Sequence, residues 1–175
     1  MQLISRAYKS SGFSMIEVLV SLLIIVVGVL GMVGLQSKAI PYTQNSVQRN
    51  TAIMLADDLI ELLRSHPDCN SSTCSKAPGT AFPVTTGACV PTPTAINDQL
   101  ACWAGQASNA LPGAGALLLK SFYICWSTVP GDVANCGSGK EIEIQLAWTV
   151  KQASDCMDAN DSTSTTCTYK VRTRL

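Results

Sequence analysis

Residues 11–31 read SGFSMIEVLVSLLIIVVGVLG. A single acid, Glu17, stands near the start of an otherwise apolar run, and the run begins directly after Gly12. From residue 18 to residue 35 there is no charge, and Ser21 is the one hydroxyl. That is about 18 residues, the length at which a helix can span hydrocarbon. Residues 1–12 carry Arg6 and Lys9 and no acid. Positive charge ahead of an apolar span keeps that end in the cytoplasm, so the bulk of the chain is expected outside it.

The cysteines point the same way. All eight of them, Cys69, Cys74, Cys89, Cys102, Cys125, Cys136, Cys156 and Cys167, follow residue 68. An even number confined to the translocated part reads as up to four disulfides, in any of roughly one hundred pairings. Chain proximity favours a small ring at Cys69 and Cys74. It also favours staples at Cys125 with Cys136 and at Cys156 with Cys167. An ordinary secretory signal fits poorly: Gly12 separates the basic segment from a long apolar core, and no paired small residues end that core. Formal net charge is zero, so no field draws the chain to nucleic acid.

Helical patterning continues past the span. In NSVQRNTAIMLADDLIELLRSHP, residues 45–67, the positions Val47, Thr51, Met54, Leu55, Leu59, Leu62 and Leu63 recur at three- and four-residue spacing. Asp57, Asp58, Glu61 and Arg64 are left to face water. Pro67 ends the pattern after His66. One helix over residues 13–66 would run roughly 80 Å. Pro41 should kink or break it where the greasy half meets the amphipathic half. Gly28, Gly31 and Gly34 offer a close-packing stripe or a soft stretch.

Glu17 in hydrocarbon is costly, by several kcal/mol on insertion scales, and needs a partner or a reason. A cut after Gly12 would leave Phe13 with a free amine about one helical turn away. The positive end of the helix dipole lies there too. In an assembly, the carboxylate could neutralise the amine of a neighbouring subunit instead.

GFSMIEVLV, residues 12–20, resembles the class III leader junction of type IV pilins and pseudopilins: Gly, Phe, three residues, then Glu. The resemblance implies that a prepilin peptidase cuts after Gly12 and that the same enzyme N-methylates Phe13. It also implies that Glu17 serves methylation and subunit docking. Residues 10–65 are most similar to the PilV-like minor pilins, including Gly34-Leu35-Gln36, and CWAGQASNALPGAG at 102–115 is a weaker shared feature. Where many major pilins place a proline, this chain has Gly34, and its proline comes at Pro41.

Beyond the helix, residues 67–94 are rich in proline and lack periodicity, so an irregular loop is expected. Residues 95–110 suit an amphipathic helix with Ile96, Leu100, Trp103 and Ala107 on one stripe and Asn97 as its cap. Strands are expected over 117–126, over 141–151, where Ile142, Ile144, Leu146, Trp148 and Val150 alternate with polar residues, and at Tyr169, Val171 and Thr173. The expected class is α+β with the type IV pilin fold: a long N-terminal helix, membrane-spanning then amphipathic, packed on an antiparallel sheet. The domain reading is a cleaved cytoplasmic leader at 1–12, the helix at 13–66 and a disulfide-containing periplasmic head at 67–175.

No enzyme site is apparent. The one histidine, His66, sits at the helix end and reads as a cap. The segment 113–121, GAGALLLKS, lacks the Gly-Lys-Ser ending of a phosphate loop. Asp155, Asp158 and Asp161 do not fit the EF-hand spacing and read as solvated acids. Zinc on cysteines is disfavoured outside the cytoplasm, and no cofactor is expected.

The resemblance implies a minor pilin. Such a subunit sits in the inner membrane by a single pass with a periplasmic head, then enters a cell-surface pilus near its tip. Its partners would be the prepilin peptidase/N-methyltransferase, other minor pilins, the major pilin, a tip adhesin and the inner-membrane assembly platform. Together these would prime pilus assembly and support adhesion and twitching motility. Two alternatives stand beside it: a minor pseudopilin of a type II secretion system, and a tip module that grips a surface directly. Eight cysteines argue for the pilus, because pseudopilin heads usually carry few.

Overall fold

A computed structural model describes residues 12–84, 87–156 and 163–175. It forms helices α1 (Met15–Arg64), α2 (Ile96–Ala110) and α3 (Ala114–Leu117), then strands β1 (Tyr123–Ser127), β2 (Glu141–Thr149) and β3 (Thr166–Thr173). A 3-10 turn, Ala153–Asp155, precedes β3. The backbone of α1 stays helical through Pro41, contrary to a break there. Proline removes only one N–H from the ladder, and a helix of 50 residues survives that loss. The chain nevertheless divides at this residue into two compact units, one ending at Ile40 and the other Pro41–Leu175.

In the second unit the three strands form an antiparallel meander in the order β1-β2-β3. Side chains alternate across a sheet, so the register sorts them onto two faces. Ile124 opposes Ile144, which opposes Val171; one residue along, Cys125 opposes Glu143, which opposes Arg172. The first face is the core: Ile124, Trp126, Ile142, Ile144, Leu146 and Trp148 are buried on it. The C-terminal half of α1 covers this face with Ala52, Leu55, Ala56, Leu59, Ile60 and Leu63. Two residues of the expected apolar stripe fall elsewhere: Val47 and Met54 are exposed. The small residues Ala52 and Ala56 are fully buried in the core instead.

The head's aromatic residues knit α2 to this core. Phe82, Trp103 and Phe122 form a triangle with centroids 5.8, 6.4 and 6.5 Å apart. Trp103 Nε1 donates to the Leu55 carbonyl at 2.9 Å, which satisfies the indole N–H where α2 meets α1. Asn97 is not the cap of α2: the helix starts after Ala95 without a side-chain cap bond.

The strand expected from residue 117 starts only at Tyr123, because Ala114–Leu117 is helical. Gly113, with φ +67°, makes that turn, and a Cβ there would clash with the Thr149 side chain. Residues 67–84 are more than a surface loop. Lys76 and Ile124 exchange backbone hydrogen bonds of 2.7 and 2.9 Å, and this closes the outer edge of β1. Disulfides join Cys69 to Cys74, Cys89 to Cys102, Cys125 to Cys136 and Cys156 to Cys167.

Candidate functional site

Gly12, Phe13 and Ser14 precede the first helical residue, Met15. The Ser14 carbonyl accepts the Glu17 N–H at 3.0 Å and the Val18 N–H at 3.3 Å. Glu17 therefore occupies the first turn, where unpaired backbone N–H groups make the positive end of the helix dipole. Phe13 is 82% exposed, and every described residue from there to Leu35 is exposed. The helix is apolar on all sides, and none of the described residues covers it. Among the described residues it is the one helix long and apolar enough to cross a membrane.

Residues 8–33 match the family described as the prokaryotic N-terminal methylation motif. This is a class III, pilin-like methylation motif. No curated protein and no solved structure matches the chain significantly. The methylation motif takes in Gly12, Phe13 and Glu17 together. Behind it, a long N-terminal helix packed on a three-stranded antiparallel sheet is the architecture of type IV pilins.

Among the described residues no group of three His, Cys, Asp or Glu side chains is placed to hold a metal. All eight cysteines are in disulfides, so none is a thiolate for zinc. His66 Nδ1 lies 3.0 Å from the Leu62 carbonyl and closes the last turn of α1. The Asp155 carboxylate accepts the Gln152 N–H at 3.2 Å, while Asp158 and Asp161 lie outside the described residues.

One polar cluster escaped the linear reading. On the outer face of the sheet, Glu143 is buried beneath the loop that joins β1 to β2. Its Oε1 accepts Tyr123 Oη at 2.6 Å, and its Oε2 accepts Gly131 N at 3.0 Å and Arg172 Nη1 at 3.4 Å. Arg172 also donates to Glu141 Oε2 at 2.7 Å and to the Ser127 carbonyl at 2.9 Å. Burial by itself would raise the Glu143 carboxyl. The hydrogen bonds from Tyr123, Gly131 and Arg172, with the charge of Lys170, outweigh burial and hold it below the ordinary value. Burial first, then Glu143, pushes the Tyr123 phenol far up. The hydrogen bond from Arg172 lowers Glu141. The hydrogen bonds from Gly131 to Glu143 and from Arg172 to the Ser127 carbonyl tie the loop onto the sheet. The signal in the sequence was the alternation of Glu141 and Glu143 on one strand and Arg172 and Arg174 on another; only the register aligns them.

Proposed function

We propose that this protein is a minor pilin of a type IV pilus, of the PilV-like kind. The observation that carries the reading is the Gly12-Phe13…Glu17 junction directly ahead of a helix that its own chain leaves bare. Among the described residues nothing requires glycine at position 12, since a Cβ there meets none of them within 4 Å. An outside peptidase is the reader that would need it. Residues 1–12 are the leader, removed on the cytoplasmic side. The amine freed on Phe13 is methylated by the same enzyme. Glu17 then compensates that positive charge, in its own chain or in a neighbouring subunit, where low dielectric makes an unpaired carboxylate costly.

The remaining helix, residues 13–66, anchors the subunit in the inner membrane and later enters the filament. Tyr42, Val47 and Met54, exposed on α1 away from the sheet, extend the apolar surface available to neighbouring subunits. The head, residues 67–175, faces the periplasm, where disulfides form and persist. With other minor pilins and a tip adhesin it primes polymerisation of the major pilin on the assembly platform. Adhesion and twitching motility depend on it through that step.

The test is a clean deletion in the source bacterium, scored side by side for surface filaments and for secreted enzymes. Loss of filaments with intact secretion is the expected result. Loss of secretion with normal filaments would make the protein a type II pseudopilin. Normal filaments and secretion, with an isolated head that binds surfaces, would favour the direct-binding module.

A further inference from the structure

Two asparagines in the chain stand two residues before a serine: Asn70 before Ser72 and Asn160 before Ser162. Each also follows an aspartate by two residues, Asp68 and Asp158. Asn-x-Ser is the acceptor pattern for N-linked sugar in exported loops. Asn160 lies outside the described residues, so the geometry concerns Asn70.

We propose that Asn70 is an N-glycan acceptor whose donor is an oligosaccharide linked through pyrophosphate to a lipid. Asn70 is exposed in the turn that follows α1, inside the ring closed by Cys69 and Cys74. Its two amide atoms have separate tasks. The Oδ1 accepts Ser72 N at 2.9 Å, Thr73 N at 3.2 Å and Ser72 Oγ at 2.6 Å. Two of those donors are backbone N–H groups, so the oxygen must face them and the assignment cannot be flipped. The Nδ2 is left over and makes no hydrogen bond among the described residues. A sugar on Nδ2 therefore costs the turn nothing: Oδ1 still accepts the same three donors. Asp68 uses only its backbone carbonyl in the turn, accepting Thr73 Oγ1 at 2.7 Å, and is exposed. Its carboxylate is a handle for a basic site on a transferase.

In the transfer, Nδ2 attacks the anomeric carbon of the donor sugar. A C–N bond forms, the anomeric C–O bond to phosphate breaks, and the lipid pyrophosphate leaves with the bonding pair. The nitrogen gives one proton to a base on the transferase.

The proposal rests on the reading that the head lies outside the cytoplasm, and one peptide tests both. The full chain is purified from its own cells and digested with trypsin without reduction. Cleavage after Arg64 and Lys76 releases residues 65–76 with Asn70, Cys69 and Cys74 together. The expected result is a sugar increment located on Asn70 by fragmentation, in a peptide two hydrogens lighter from its disulfide. Asn70→Gln and Ser72→Ala should lose the increment entirely, and Ser72→Thr should keep it. An oxidised peptide without sugar, or with sugar on Ser71, Ser72 or Thr73, overturns the acceptor and leaves the topology standing. A reduced and unmodified peptide overturns both.

Discussion

Glu143→Ala is the substitution that most directly tests how the head is held together. Its side chain is 6% exposed and receives three donors. Alanine removes their common acceptor. Arg172 keeps Glu141 and the Ser127 carbonyl, so it is not orphaned. Tyr123 is only 3% exposed, and its hydroxyl loses the one partner it has among the described residues; the Gly131 N–H loses Glu143 too. A buried donor left unsatisfied costs about 1–3 kcal/mol. Gly131 is near water and recovers much of its share, so the sum is about 2–3 kcal/mol, mostly from Tyr123. For a head of this size that lowers the unfolding midpoint by roughly 8 °C.

The assay is thermal or urea unfolding of the full chain in mild detergent, followed by tryptophan fluorescence. Trp103, Trp126 and Trp148 all lie in the Pro41–Leu175 unit, so the signal reports the head and not the membrane segment. Glu143→Gln, which keeps a carbonyl acceptor, should fall between wild type and alanine. Acid supplies an independent arm. The folded Glu143 and Glu141 carboxyls are held below their ordinary value of 4.5. Their contribution is therefore complete above that value and is lost as pH falls through the folded values. Glu143→Gln should flatten the decline in stability below pH 4.5. An alanine variant within about 1 °C of wild type, with an unchanged acid limb, would refute the reasoning.

Glu17→Ala should leave leader cleavage largely intact but impair N-methylation and incorporation into filaments. Mass spectrometry of the N-terminal peptide and immunodetection on sheared pili read both steps, and normal values for both would remove Glu17 from the assigned role. Gly139→Ala should destabilise the head by about 3 kcal/mol, the upper end for overpacking. Its Cβ would overlap the Ser127 backbone carbonyl, and backbone cannot swing aside as a side chain can. The same fluorescence assay measures it, and an unchanged midpoint would show that the loop has room to shift. Replacing Cys125 and Cys136 together by serine should cost about 3 kcal/mol, from the chain entropy released when a ring of this length opens. Equal stability with and without reductant would argue against it.

Much of this protein was legible from residue order, because membrane insertion and helix formation depend on neighbours along the chain. The apolar run behind Glu17 needs only local composition to specify a spanning helix. The alternation at Ile142, Ile144, Leu146 and Trp148 needs only the period of a strand. The Gly12-Phe13…Glu17 junction is a linear signal, because its spacing is set along the chain alone. Tertiary structure decided what depends on residues far apart. It buried Ala52 and Ala56 and left Val47 and Met54 exposed, because the face a helix turns to its core is set by what packs on it and not by its period alone. It made residues 114–117 a helix, since Gly113 can take a positive φ against Thr149. It brought Glu143 under Gly131 and beside Tyr123 and Arg172, because strand register sets which charges meet and periodicity does not.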